Sequence, residues 1–124
     1  MNSSTLDRAF GALSDATRRR ILELLRARTT MTAGALADEF PTVSRPAVSK
    51  HLRILREAGL VVAEQAGREW HYTLDTSLLA DIQRTWMSVF VPMFDASLDE
   101  LRRHAESRSH MSEEKLDRGR HLAR

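Results

Sequence analysis

Four short stretches of helical apolar spacing, two six-residue strand-forming runs around a glycine turn, and a long apolar helix after them predict a mainly α domain with a β-hairpin wing. In that order they predict a winged helix-turn-helix of about five helices. Leu6, Phe10 and Leu13 recur at helical spacing and mark a short first helix, weakened by Gly11. Ser14 or Asp15 caps a second helix whose apolar set is Ala16, Ile21, Leu24 and Leu25, ending near Arg28. Thr32 caps a third helix, Ala33 to Phe40, which Pro41 stops.

After the tight connection Pro41-Thr42-Val43, Ser44 caps a fourth helix running to about Ala58. Pro46 falls in its first turn, where a missing N–H matters little, and Gly59 follows its last turn. The period then changes. Leu60–Gln65 and Glu69–Leu74 read as strands, and Ala66-Gly67-Arg68 as the turn between them. Asp75-Thr76-Ser77 caps a long fifth helix with an apolar stripe from Leu78 to Leu101, which Pro92 is expected to kink or split. From His104 onward the chain is rich in Ser, Arg and Glu and poorly patterned. The domain is therefore expected over 1–104 and a disordered charged tail over 105–124.

Composition narrows the function classes. With 124 residues and 42% hydrophobic content, the chain suits one domain of modest core. It has no cysteine, which removes disulfides, thiolate metal sites and cysteine nucleophiles together. The start, Met1 to Arg8, has no apolar signal core. The longest apolar stretch, Val89 to Phe94, falls far short of the ~20 residues of a membrane span. A cytoplasmic protein without a membrane partner is expected. No glycine-rich phosphate loop occurs, and Ser49 and His51, two apart on a helix, point in different directions, so no catalytic residues are assigned.

The net charge of +2 hides an uneven distribution. Between Arg18 and Arg56 nine basic residues stand against three acidic ones, a footprint that suits phosphate. The fourth helix has two faces. Val48, Leu52 and Leu55 make an apolar row, while Arg45, Ser49, Lys50 and Arg53 present groups able to bond base edges or phosphates. Ser44, Pro46 and the amides beside them suit a phosphate at the helix start, and Gly67-Arg68 at the wing tip suits a neighbouring minor groove or backbone. Double-stranded DNA is thus the expected partner. A plain core helix with a wet basic face is the alternative for this helix taken alone.

The runs Leu13-Ser14-Asp15-Ala16-Thr17-Arg18-Arg19-Arg20-Ile21-Leu22-Glu23-Leu24-Leu25 and Ser44-Arg45-Pro46-Ala47-Val48-Ser49-Lys50-His51-Leu52-Arg53-Ile54-Leu55-Arg56-Glu57-Ala58-Gly59-Leu60-Val61, with the wing Gly67-Arg68-Glu69-Trp70-His71-Tyr72, resemble the ArsR/SmtB-like (arsenic-repressor) family of winged-helix regulators. The resemblance covers roughly residues 5 to 103. It implies a homodimer built through the first and last helices, bound to an inverted repeat near a promoter, usually as a repressor. It also implies base and phosphate contacts at Arg45, Ser49 and Lys50. The expected dimer residues are Leu6, Phe10, Ile82, Trp86, Val89, Phe90, Met93 and Phe94.

Many members of that family sense metals, through a Cys-x-Cys pair in the third helix or through Asp and His on the last. Here the first stretch reads Leu36-Ala37-Asp38-Glu39-Phe40, and of the second only Asp81 and His104 are present. Zinc needs about four placed ligands, so no metal and no cofactor are expected. His51 and His71 are assigned to packing. The cluster Trp86, Met87, Phe90, Met93, Phe94 is assigned to the dimer interface, with a pocket for an apolar effector as the competing reading. A protein-interaction module without DNA binding is the competing reading for the whole chain.

Overall fold

The structure, a computed structural model, describes residues 1–122. It contains α1 (Ser3–Leu13), α2 (Ala16–Arg28), β1 (Thr30–Thr32), α3 (Ala33–Asp38), α4 (Arg45–Glu57), β2 (Val61–Ala66), β3 (Glu69–Leu74), α5 (Ser77–Thr85), a 3-10 turn (Met87–Val89) and α6 (Val91–Leu122). The chain divides into two units, Met1–Arg84 and a second beginning at Thr85.

Each helix of the first unit starts where a side-chain oxygen meets an unsatisfied amide. Asn2 Oδ1 accepts from Thr5 N, Asp15 Oδ2 from Arg18 N, Thr32 Oγ1 from Ala35 N and Ser44 Oγ from Ala47 N. The core is then closed by Ile21, Leu24 and Leu25 of α2, Leu36 of α3, Val48, Leu52 and Leu55 of α4, and Leu60 and Val61 entering β2. Ala16, expected in this set, is exposed, because it opens α2 on the solvent side. α1 packs through Ala9 and Ala12, whose small side chains let it lie close to α2 and α4.

The hairpin is two strands joined by Gly67-Arg68, in register Val61↔Leu74 through Ala66↔Glu69. Ala66 therefore belongs to the strand and the loop has two residues. Gly67 has φ +65°, and positive φ at the first loop residue is what a glycine-first two-residue hairpin uses. Sequence reading missed β1. Its three residues pair antiparallel with β3, Thr30↔Thr73 to Thr32↔His71, giving the sheet order β1-β3-β2. A three-residue strand has no period to detect.

The apolar stripe after Ser77 does split. α5 ends at Thr85, the 3-10 turn intervenes, and α6 restarts with Pro92 at its second position, where its absent N–H leaves no bond unmade. Where sequence reading expects disorder from 105, the backbone continues as helix through Leu122. The segment lacks an apolar face but is built largely of helix formers such as Glu, Arg, Lys and Leu, without proline. Residues 123 and 124 of the expected tail lie outside the described residues.

Thr29, the C-cap of α2, has φ +69° and ψ −59°, a strained γ-turn-like conformation for a β-branched residue. Thr29→Gly is expected to raise the free energy of unfolding by about 1 kcal/mol through relief of that strain, read as an increased urea midpoint with unchanged slope.

Candidate nucleic-acid interface

α4 owes its orientation to its buried row. Val48, Leu52 and Leu55 are each 1% exposed or less, and α4 packs against α1, α2, α3 and β2. Residues three and four apart share a face, so burying that row turns Arg45, Ser49, Lys50 and Arg53 outward, and all four are exposed. Ser44 and Pro46 lie exposed at the helix start. Gly67 and Arg68 lie exposed at the wing tip. The structure thus brings the α4 residues together on one face and leaves the wing tip as a separate point at the end of the hairpin.

The helix start offers less to a phosphate than the sequence suggests. Pro46 has no N–H, and the Ala47 amide is taken by Ser44 Oγ at 3.3 Å. Of the first three helical positions only Arg45 keeps an uncommitted amide. The Arg45 guanidinium bonds Asp38 of α3 at 3.3 Å, both side chains being 73% exposed. So exposed a pair holds weakly and yields readily to a phosphate or a guanine edge.

Other members of the basic cluster are committed to the fold. Arg19 Nη1 donates to Leu13 O at 2.7 Å, Arg20 pairs with Glu23 at 3.4 Å, and Arg28 pairs with Glu39 at 2.7 Å. Arg56 lies over the Trp70 ring at 5.7 Å, linking the end of α4 to the wing. Lys50 and Arg53 make no ion pair among the described residues and remain available.

Arg18 is the residue that sequence reading undervalued. Its Nε donates to Ala12 O at 2.7 Å and its Nη2 to Gly11 O at 3.2 Å, so the cation closes the C-terminal end of α1. Its Nη1 lies 3.2 Å from His51 Nδ1. A guanidinium only donates, so His51 accepts at Nδ1 in this arrangement. Asp15 Oδ2 stands 3.8 Å from the same nitrogen. His51, half-buried, therefore keys α4 to the α1–α2 junction. The spacing of Arg18 and His51, 33 residues apart, gave no hint of this bond.

Accepting the Arg18 amide holds the Asp15 carboxyl below its ordinary 3.8, against the opposing effect of burial and with help from His51 and Arg18. Ser77 does the same for Asp75 through its hydroxyl and its amide.

Among the described residues no group of three or more His, Asp or Glu side chains is gathered to hold a metal ion. His71 Nε2 faces Glu69 at 3.8 Å on the outer side of the wing. Of the expected dimer residues in the first unit, Leu6 is half-buried and Phe10 exposed, while Ile82 is only 3% exposed within its own chain and so has little surface left for a partner. In the second unit Trp86, Val89, Phe90, Met93 and Phe94 are all exposed, and the Trp86 and Phe90 rings lie 4.9 Å apart, tilted by 56°. An open cavity of about 410 Å³ lies in the first unit, with a mixed lining that includes Arg8, Glu57, Asp75 and Asp81 as well as Ala58 and Leu78. No described helix is long and apolar enough to cross a membrane.

A recognition helix with one sealed and one basic face, followed by a hairpin, defines a winged-helix DNA-binding protein. A family model described as a helix-turn-helix domain matches residues 13–63. The chain is 39% identical to the transcriptional repressor SdpR of Bacillus subtilis, over 75% of this chain and all of that protein. It is 48% identical to the HTH-type transcriptional regulator Rv2034 of Mycobacterium tuberculosis, over 64% of this chain and 77% of that one. A solved ArsR-like transcriptional regulator from Rhodococcus sp. RHA1 superposes with a TM-score of 0.64 at 38% identity, covering 84% of this chain and 93% of that one. The chain belongs to the ArsR family of helix-turn-helix transcriptional regulators, and it is a DNA-binding regulator.

Asp15→Ala removes the cap of α2 and is expected to lower stability by about 1 kcal/mol near neutral pH. The Asp15 pKa is depressed in the fold, so its contribution is present above the ordinary value of 3.8 and lost as pH falls through the lower folded value. The gap between wild type and variant in urea unfolding should therefore close in acid below that value.

Proposed function

We propose that the chain is a homodimeric repressor that binds an inverted-repeat operator in the cytoplasm, with the exposed row of α4 in the major groove. The observation that carries this is the division of α4 into a fully buried row, Val48, Leu52 and Leu55, and an exposed row, Arg45, Ser49, Lys50 and Arg53. Lys50 and Arg53 carry charge that the fold does not use. Arg45 exchanges Asp38 for DNA, and Ser49 donates or accepts beside them. Arg68 sits at the wing tip, set by the Gly67 turn, and reaches the backbone or minor groove beside the half-site. The repressor reading is supported by the similarity to SdpR, a transcriptional repressor. Dimerisation is supported by the exposed apolar residues of the second unit, and two half-sites about 10 base pairs apart follow from two-fold symmetry.

The test is an anisotropy titration, at several salt concentrations, with a site selected from a random DNA pool. Lys50→Ala and Arg45→Ala should each weaken specific binding by about 1–3 kcal/mol if they touch bases. If instead they touch phosphates, they should lower the salt slope by about one. Both variants should keep the wild-type unfolding midpoint. Unchanged affinity and unchanged salt slope in both would overturn the assignment.

A further inference from the structure

The outer end of the wing stands beyond the core. Val61 at its base is buried and Tyr72 and Leu74 are half-buried, whereas Gln65, Ala66, Glu69 and Trp70 are all exposed. β1 supports β3 only as far as His71, the partner of Thr32. The last two rungs, Gln65↔Trp70 and Ala66↔Glu69, therefore belong to a two-stranded ribbon. Such a ribbon is marginal in water unless something packs against it. Arg68, at the turn that closes the ribbon, is the wing's basic residue.

α4 supplies the missing contact. Side chains alternate along a strand, so Trp70 faces the same side as Tyr72 and Leu74, which pack on the core. Past the edge of the core its ring meets Arg56, whose guanidinium carbon lies 5.7 Å from the ring centroid. Arg56 makes no ion pair among the described residues, so no carboxylate competes with the ring for it. It stands three residues past Arg53, on the same side of α4 as that reading residue. We propose that Arg56 and Trp70 are positioning residues, a latch that ties the outer wing to the recognition helix and aims Arg68 at the DNA. The inference rests on the wing contact proposed above and goes beyond it by naming what aims that contact. Trp70 lies two residues from Arg68, ~7 Å along the strand, so fixing the ring fixes the turn. With the latch open, the ribbon samples directions in which Arg68 misses the duplex. Trp70 is 42% exposed, and a cation over so exposed a ring shifts an equilibrium roughly 2- to 5-fold.

A double-mutant cycle in the full-length chain, read by anisotropy on the selected DNA site, tests this. Trp70→Leu removes the ring's charge-attracting face and leaves every basic residue in place. It should weaken binding roughly 2- to 5-fold, yet have no further effect once Arg68→Ala is present. With Lys50→Ala its effect should simply multiply, since Lys50 does not act through the wing. Trp70→Phe, which keeps an aromatic face, should bind closer to wild type than Trp70→Leu. Arg56→Met, which keeps the apolar stem without the cation, should couple to Arg68→Ala in the same way. Urea midpoints near wild type would show that the fold is kept. Trp70→Leu without effect, or with the same effect whether or not Arg68 is present, overturns the latch while leaving the wing contact standing. So does an Arg56→Met loss independent of Arg68, which would make Arg56 a DNA contact itself. Arg68→Ala without effect overturns the wing contact and the latch together.

Discussion

Val48, Leu52 and Leu55 enter the core from α4 at no more than 1% exposure each, and this burial fixes which way the recognition helix faces. A slip of one residue would turn the helix by about 100° and exchange buried Val48, Leu52 and Leu55 for Ser49, Arg53 and Arg56. Burying an unpaired guanidinium is far more costly than losing a methylene contact, so the helix has one allowed rotation. The exposed row is a consequence of that rotation. Ser44 at the start and Gly59, at φ +79°, just past the end limit the helix along its axis in the same way. The face proposed to bind DNA is therefore already formed within α4.

A second constraint joins α4 to the front of the chain. Arg18 closes the α1 carbonyls and reaches His51, while Asp15 caps α2 and faces the same histidine. Arginines 18 to 20 read in the sequence as part of a phosphate-binding field. In the structure Arg18 and Arg19 satisfy backbone carbonyls at the end of α1, and Arg20 pairs with Glu23. Of the basic residues from Arg18 to Arg56, those making no ion pair among the described residues are Arg18, Arg19, Arg26 and Arg56, the first two bound to backbone carbonyls and the last lying over Trp70, together with Lys50 and Arg53 on the exposed face of α4. The proposed interface is accordingly one helix face and a wing tip rather than the whole basic cluster.

Elements set by near neighbours were legible in the sequence. The caps at Asp15, Thr32 and Ser44, the Gly67 turn and the break ahead of Pro92 each depend on a few residues, and each lies where its local chemistry predicts. What was not legible depends on pairing across the chain. β1 exists because Thr30 to Thr32 meet β3 some forty residues later. Arg18 and His51 are joined only by the fold. Ile82 matches the apolar stripe as well as Trp86 does, and only the folded chain separates the buried residue from the exposed one. The helix beyond residue 104 was missed because an absent apolar face was taken for absent helix, although propensity alone favours it there.

The central claim is that the exposed row of α4 reads base edges from the major groove. Dimethyl sulfate interference on a bound operator addresses it directly, since guanine N7 lies in the major groove and adenine N3 in the minor. The account predicts that N7 methylation blocks binding at guanines in both half-sites, with adenine effects confined to the flanks beside the wings. Interference at adenine N3 alone, with every guanine N7 tolerated, would contradict it.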